Sequence, residues 1–237
     1  MPLAQPAAID RHPHLGAALP AGWVRVDMHS HTMYSGDSTT TLDEIEEAVV
    51  ACGIDVLCVT DHNAIKGAQE LVSRLPCRVI VGEELRTHAG EIIGLFLRER
   101  IPFGTPPREA AEAIRAQGGV VYVPHPFDPM RRNMAEEPLR ELIAAGLVDA
   151  VEVFNAKTSL PSLNAKAAAL AAEFDLVCGA GSDAHVPDAL GAAFVEMPDF
   201  DGPADFLAKL REGRIVGHHW DKPRPWSPRV VPSFTHD

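Results

Sequence analysis

The 237-residue sequence has no run of about 20 apolar residues, so nothing in it reads as a membrane-spanning helix. Its first residues lack the basic start and following apolar stretch of a secretory signal, and a cytoplasmic protein is the expectation. Cysteine is scarce. Cys52, Cys58, Cys77 and Cys178 show no C-x-x-C spacing and stand in apolar surroundings, so reduced core thiols are expected rather than a disulfide framework or a thiolate metal site. Positive charge is short as well: 21 Lys and Arg against 33 Asp and Glu give a formal charge of −12. A duplex nucleic-acid binder would want a basic face, and that class is excluded. Phosphorylated small molecules are not, because bound divalent cations would reverse the local field.

What is present is an ordinary globular composition, 46% hydrophobic and 23% charged, without internal repeats or low-complexity linkers. Residues 1–22 read as an irregular arm and 219–237 as a proline-rich tail, flanking one domain over 23–218. Within it strand and helix patterns alternate. Thr41-Leu42-Asp43-Glu44 is a capping-box pattern, followed by the apolar stripe Leu42, Ile45, Val49 and Cys52. Strands are predicted at Val24 to Met28, Val56 to Thr60, Arg78 to Val81, Glu91 to Leu97, Val120 to Val123, Ala150 to Phe154, Val177 to Ala180 and Ala192 to Val195. Helices are predicted at Pro107 to Gln117, Pro138 to Ala145, Ser162 to Glu173 and Pro203 to Arg211. Such alternation means an α/β barrel or a doubly wound sheet.

The polar clusters favour the barrel. They follow the predicted strands: Asp27 to His31 after the first, Asp61-His62 after the second, Glu83-Glu84 after the third. His125, Asn155 and Ser182 to His185 follow later ones. Polar groups at strand ends from the whole chain share one face only in a closed barrel. The 11 histidines are many for this length, and their places matter more than their number. His29 and His31 alternate along an extended segment, which puts both on one side, as two ligands of one ion require. His12-Pro13-His14 has the same spacing without a strand before it, and reads as solvent-exposed. Taken singly, His62 could be a core histidine, Glu84 half of an ion pair, and His125 a turn residue between Pro124 and Pro126. Jointly these readings would bury many costly polar groups at one end of an apolar core without a shared purpose.

Imidazole nitrogen and carboxylate oxygen without thiolate suit Zn²⁺, Mn²⁺ or Fe²⁺. Five histidines and three or more carboxylates are too many donors for one ion. Two or three ions about 3.5–4 Å apart, bridged by a carboxylate, are the natural arrangement; they would generate hydroxide and neutralise a phosphoryl group under attack.

The segments VDMHSHTMYSGD, VTDHNAIKG, GEELRT, VPHPFD and AGSDAH, in this order, resemble the four-motif pattern of the PHP (polymerase and histidinol phosphatase) family of metal-dependent phosphoesterases. The likeness runs from about Val24 to Gly217, and it implies a distorted, TIM-like barrel of seven βα units and phosphoester hydrolysis. Residue by residue, it implies His29, His31, Asp37, His62, Glu84, His125, Asp183 and His185 as metal ligands, with Asp183 and His185 also serving catalysis. Val151 to Asn155 and Asn164 to Ala171 also resemble the stretch before the last motif of small bacterial members. Two features depart from the pattern. Asn63 and Ala64 follow His62 where similar members carry Asp and Thr, and Glu91 stands where relatives place a histidine. Glu91 is the candidate oxygen ligand there, with His88 as the substitute, and the spacing after Gly82 favours Glu84 over Glu83 as the bridge.

Substrate phosphate is expected on Arg131, Arg132, Asn155 and Lys157, since guanidinium matches phosphate oxygens in a fork. The leading reading is a phosphatase or phosphodiesterase of a small phosphorylated molecule, such as a nucleotide or short oligonucleotide. It specifies no oligomeric state. Two alternatives stand beside it. One is a metal-dependent carbon–nitrogen hydrolase of the amidohydrolase type, which typically adds a lysine bridge that no predicted strand end supplies. The other is a metal-stabilised module without turnover, as in PHP domains attached to polymerases.

Overall fold

Helix formation after the first strand begins with the capping box, which closes in full. The Thr41 amide donates to Glu44 Oε2 at 2.8 Å and the Glu44 amide to Thr41 Oγ1 at 3.3 Å, satisfying two amides that a helix start leaves over. The computed structural model describes residues 18–220. His12, His14, most of the arm and nearly all of the proline-rich tail lie outside the described residues.

Helix α1 (Leu42–Cys52) follows strand β1 (Trp23–Ser30) and leads to β2 (Val56–Val59), whose four residues are all buried, as the continuous apolar run requires. A short helix α2 (Lys66–Leu71) precedes β3 (Arg78–Thr87), which turns into β4 (Gly90–Leu95). Then come α3 (Pro107–Ala116), β5 (Val120–Val123), α4 (Glu136–Ala144), β6 (Ala150–Asn155), α5 (Pro161–Glu173) and β7 (Val177–Gly181). Two further strands, β8 (Ala193–Pro198) and β9 (Arg214–Gly217), flank α6 (Gly202–Leu210).

The nine strands form one sheet in the order β7-β6-β5-β4-β3-β2-β1-β8-β9. Pairing is parallel along β1-β2-β3 and β5-β6-β7, but antiparallel where β4 joins β3 and β5 and where β8 joins β1 and β9. The two ends of this sheet nearly meet at β1. Its first half pairs with β8, ending at Val26 with Val195. Beyond that point the chain following β7 takes over the edge: the Asp183 amide donates to the His29 carbonyl at 2.7 Å, and the His31 amide to the Ala184 carbonyl at 3.0 Å. Closure this tight needs a bare backbone. A Cβ on Gly181 would lie 2.3 Å from His29 Cβ and 2.7 Å from His29 N. The outcome is the distorted, TIM-like α/β barrel that the sequence implies, nearly closed, with apolar side chains such as Met28, Cys58, Ile93 and Tyr122 filling its interior.

Two expectations need correction, and two elements are added. Glu83 and Glu84 do not follow a strand; they lie inside β3, which leaves β2 after Val81 and continues from Gly82 as one arm of a hairpin with β4. The two carboxylates broke the apolar run that marked the strand, although alternation merely sends them to opposite faces. The cysteines are all free, but only Cys52 and Cys58 are buried; Cys77 is half-buried and Cys178 exposed on β7. Finally, α2 and β9 were not legible as elements. Among the described residues, no helix is long and apolar enough to cross a membrane.

Candidate metal centre

The carboxyl ends of the parallel strands and the hairpin of β3 and β4 deliver their polar groups to one place. β1 carries His29, with His31 one residue past its end, and alternation brings their Nε2 atoms within 3.0 Å of each other. Asp37 follows on the next loop, His62 follows β2, and Glu84 and Glu91 face inward from β3 and β4. His125 follows β5, while Asp183 and His185 follow β7. Two of these backbones are strained. His125 has φ +27° and Asp183 φ +50°, conformations that cost about 1–3 kcal/mol each and persist only where surroundings enforce them. Here the enforcing bonds are the His125 amide to Glu152 Oε2 at 2.8 Å and the Asp183 amide to the His29 carbonyl.

Glu84 is the hub. Its Oε2 lies 3.3 Å from Nε2 of both His29 and His31 and 3.1 Å from His62 Nδ1, while its Oε1 lies 3.0 Å from His125 Nε2. Asp183 Oδ1 stands 3.5 Å from His31 Nε2 and 3.3 Å from His185 Nδ1. Asp37 spans His62 and His185 at 3.3 and 3.6 Å, and Glu91 lies 3.7 Å from His62 Nδ1. Four overlapping groups result, each with three donor atoms within 4.8 Å of one another: His31, His62 and His185; His29, Glu84 and His125; His29, His31 and Asp183; His62, Glu84 and Glu91. All nine residues expected as ligands are thus brought together. His88 is not, since it sits exposed at the turn between β3 and β4.

The chemistry of this donor set fits several divalent ions. Two imidazole Nε2 atoms stand tip to tip at 3.0 Å beside the Glu84 and Asp183 carboxylates, an arrangement that a divalent cation can take over from a shared proton. The buried His62 Nδ1 has no hydrogen-bond partner. Proton affinity tells the same story. Burial opposes charge on His31, yet the hydrogen bonds of Asp183 and Glu84 prevail and raise it to about 9. Burial likewise opposes charge on His29, but Glu152, Glu84 and Asp183 hold it well above the imidazole range. The pocket draws positive charge to itself. His185 goes the other way: burial first, then the neighbouring His31 and Lys157, push it down to about 3, leaving the neutral ring that ligates metals.

Residues behind the candidate ligands orient them. His29 Nδ1 meets Glu152 Oε1 at 3.1 Å, and His31 Nδ1 meets Ser35 Oγ at 2.7 Å, so in each ring Nε2 is left for the centre. Glu152 had a signal in the sequence, a charge inside the apolar run of β6, which only a buried partner can justify. Asn63, at φ +54°, accepts the Arg86 amide on its Oδ1 at 2.9 Å and donates its own amide to the Glu84 carbonyl, tying the loop that carries His62 to β3.

A cavity of about 180 Å³ opens over the cluster, lined by seven of its histidines and carboxylates together with Arg86, Met130, Arg131 and Arg132. Arg131 donates to the Lys157 carbonyl at 3.1 Å and stands 3.7 Å from Asp183 Oδ2, whereas Arg132 is exposed at the rim. Lys157 Nζ lies 2.9 Å from His185 Nδ1 and 3.8 Å from Asp183 Oδ1. Asn155 does not reach the cavity. It is fully buried, with Nδ2 bound to Glu152 Oε2 and Asp183 Oδ2, which puts it behind the centre rather than on the substrate side. Arg86, whose Nε lies 3.1 Å from Glu91 Oε1, was not singled out from the sequence.

Comparison with known proteins finds two family matches, two relatives and two similar structures. Residues 27–144 match the PHP domain family, and residues 161–215 match the PHP-associated family. One uncharacterized protein of Methanocaldococcus jannaschii is 35% identical over 201 residues, 79% of each chain. A second from the same organism is 38% identical over 146 residues, 56% of this chain and 82% of that one. Among solved structures, a two-domain Bacteroides vulgatus protein containing a predicted PHP-like metal-dependent phosphoesterase is similar at TM-score 0.66 and 18% identity, over 85% of this chain and 68% of that one. An amidohydrolase of Chromobacterium violaceum, with bound sulfate and no metal, is similar at TM-score 0.57 and 17% identity, over 70% and 89%. Identities this low carry the fold alone.

Proposed function

The chain belongs to the PHP-domain family, and from that premise we propose that it is a metal-dependent phosphoesterase of a small phosphorylated substrate. The observation that carries the reading is one small cavity in which clustered imidazoles and carboxylates meet cationic side chains, Arg131 above all. Two or three divalent ions (Mn²⁺, Zn²⁺ or Fe²⁺) held by His29, His31, Asp37, His62, Glu84, Glu91, His125, Asp183 and His185 would lower the pKa of water and offset phosphoryl charge.

The chain's own groups do the rest. Arg131, with its guanidinium at the cavity wall, grips a phosphate oxygen, and Arg132 at the rim and the Lys157 ammonium reinforce it. Asp183 turns Oδ1 to the imidazoles and Oδ2 toward Arg131 and Asn155. Burial opposes its charge, but Lys157 and Arg131 hold the Asp183 carboxyl well below the usual carboxylate range, so in hydrolysis it stays ionised and orients the attacking water. His185, kept neutral by burial and with its Nδ1 met by Lys157, is the second group placed beside the reacting centre.

Lys157 also bears on the carbon–nitrogen alternative, which asks for a lysine bridging the metals. Its ammonium lies against His185 and Asp183, and the charged form has no lone pair to ligate with. That favours a role toward anions. The test is a screen of Mn²⁺-loaded protein against phosphomonoesters, phosphodiesters and amides. We expect phosphate release that His29→Ala and Asp183→Ala each abolish in folded protein. Turnover of amides alone would give the alternative its case, and metal-loaded protein inert on every substrate would mark a module without turnover.

A further inference from the structure

Arg86 sits at the cavity with its charge already engaged by two of the carboxylates offered to metal. Nε lies 3.1 Å from Glu91 Oε1, and Nη2 lies 3.6 Å from Asp37 Oδ2. The same Glu91 oxygen is 3.7 Å from His62 Nδ1. That nitrogen belongs to a side chain only 8% exposed, has no hydrogen-bond partner, and looks toward Glu84 Oε2 at 3.1 Å. His62, Glu84 and Glu91 therefore form one position with a single nitrogen and two carboxylates, unlike the all-nitrogen group of His31, His62 and His185. Oxygen-rich sets prefer hard ions and nitrogen-rich sets borderline ones. A guanidinium that shares Glu91 Oε1 with an incoming dication must yield to it, because two positive charges this close repel.

Resting on the metal-centre reading above, we propose that the His62, Glu84 and Glu91 position takes a hard divalent cation, Mn²⁺ or Mg²⁺, in competition with Arg86. The guanidinium neutralises Glu91 while the ion is away, and the ion exchanges with solvent while the positions that do not draw on His62 keep theirs. The third equivalent then follows the free cation concentration, and its arrival releases the Arg86 guanidinium at the cavity.

The test is Mn²⁺ binding to the full chain by equilibrium dialysis, read by elemental analysis and Mn²⁺ paramagnetic resonance, for wild type, Arg86→Gln, Arg86→Lys and Glu91→Gln. Wild type should hold two equivalents against metal-free buffer and take a third weakly. Arg86→Gln, with a side chain 29% exposed and no core role, should tighten only that third step, by about tenfold or more. Arg86→Lys should leave it weak, and Glu91→Gln should remove it while keeping the first two. A third step that Arg86→Gln leaves unmoved, or three equivalents held equally tightly by wild type, overturns the competition. Wild type that binds no Mn²⁺ at any step overturns the metal-centre reading itself, so the two failures are distinct.

Discussion

Glu152 offers the sharpest test of how the centre is held. It is fully buried, and each oxygen is committed: Oε1 to His29 Nδ1 at 3.1 Å, Oε2 to the His125 amide at 2.8 Å and to Asn155 Nδ2 at 3.0 Å. Glu152→Gln keeps the shape but replaces one acceptor with a donor. If the amide oxygen takes the Oε2 place, the NH₂ faces His29 Nδ1 and forces the ring's proton onto Nε2, where it blocks ligation. If instead the NH₂ takes the Oε2 place, two buried donors lose their acceptor, at about 1–3 kcal/mol each. The first orientation is cheaper for the fold, so the loss should appear in metal binding. Outer partners of metal-bound histidines are worth about 10–100-fold in affinity, or ~1.4–2.7 kcal/mol. Chelator competition with Zn²⁺ or Mn²⁺ measures this, and urea unfolding of metal-free protein separates the two orientations, since the second costs several kcal/mol there. A dissociation constant within twofold of wild type, with unchanged unfolding, would refute the argument.

Three further outcomes follow from the geometry. Arg131→Ala should lower kcat/KM about tenfold to a hundredfold at unchanged metal content, the loss of a charge-assisted hydrogen bond of ~1.5–3 kcal/mol; exposed Arg132→Ala should cost less, and equal effects would count against the assignment. Gly181→Ala should destabilise the protein by about 1–3 kcal/mol, because its methyl group would meet the His29 backbone and Cβ; wild-type urea stability would show that the closure at β1 is loose. Burial pushes the Glu83 carboxyl up to about 7, against the Ile101 amide on Oε2. A raised acid pKa means the folded state holds the proton longer, so Glu83 costs stability as pH rises from about 4.5 through 7, on the order of 3 kcal/mol by pH 8. Glu83→Gln keeps the acceptor without the charge, and should therefore gain on wild type at pH 8 but not at pH 5; a pH-independent difference between the two proteins would defeat this.

The strands that the sequence displays best are those buried on both faces, and β2 and β5 appear almost residue for residue because nothing but an apolar run explains them. The clustered histidines and carboxylates were legible for a related reason, since costly groups recurring after strands ask for a shared purpose. What stayed hidden depends on partners distant in sequence. The upper half of β3 exists only because β4 pairs with it. Helix α2 has six residues, no side-chain cap, and Gly67 inside it. That glycine serves close approach, since a Cβ there would meet Asp61 Oδ2 at 2.4 Å and Thr32 Oγ1 at 2.6 Å, and it weakens the helical signal in doing so. Arg86 could have been found: two residues after Glu84 on the same strand, it must share its face.

Charge counting explains why such a centre would favour an anionic phosphate. Five carboxylates, of Asp37, Glu84, Glu91, Glu152 and Asp183, come within 4 Å of the five clustered imidazoles. Three cations, Arg86, Arg131 and Lys157, come within 4 Å of those carboxylates. Two negative charges are left over, and without metal they are met by the raised proton affinity of His29, His31 and His125. Two divalent ions would displace those protons and turn the surplus into two positive charges, the complement of a phosphate monoester dianion. Protons and metal thus compete for the same nitrogens, so acidification should empty the centre, and an anionic substrate should help to keep it filled. A neutral amide substrate would leave the two positive charges unmatched in a buried cavity, at a cost that a phosphate avoids.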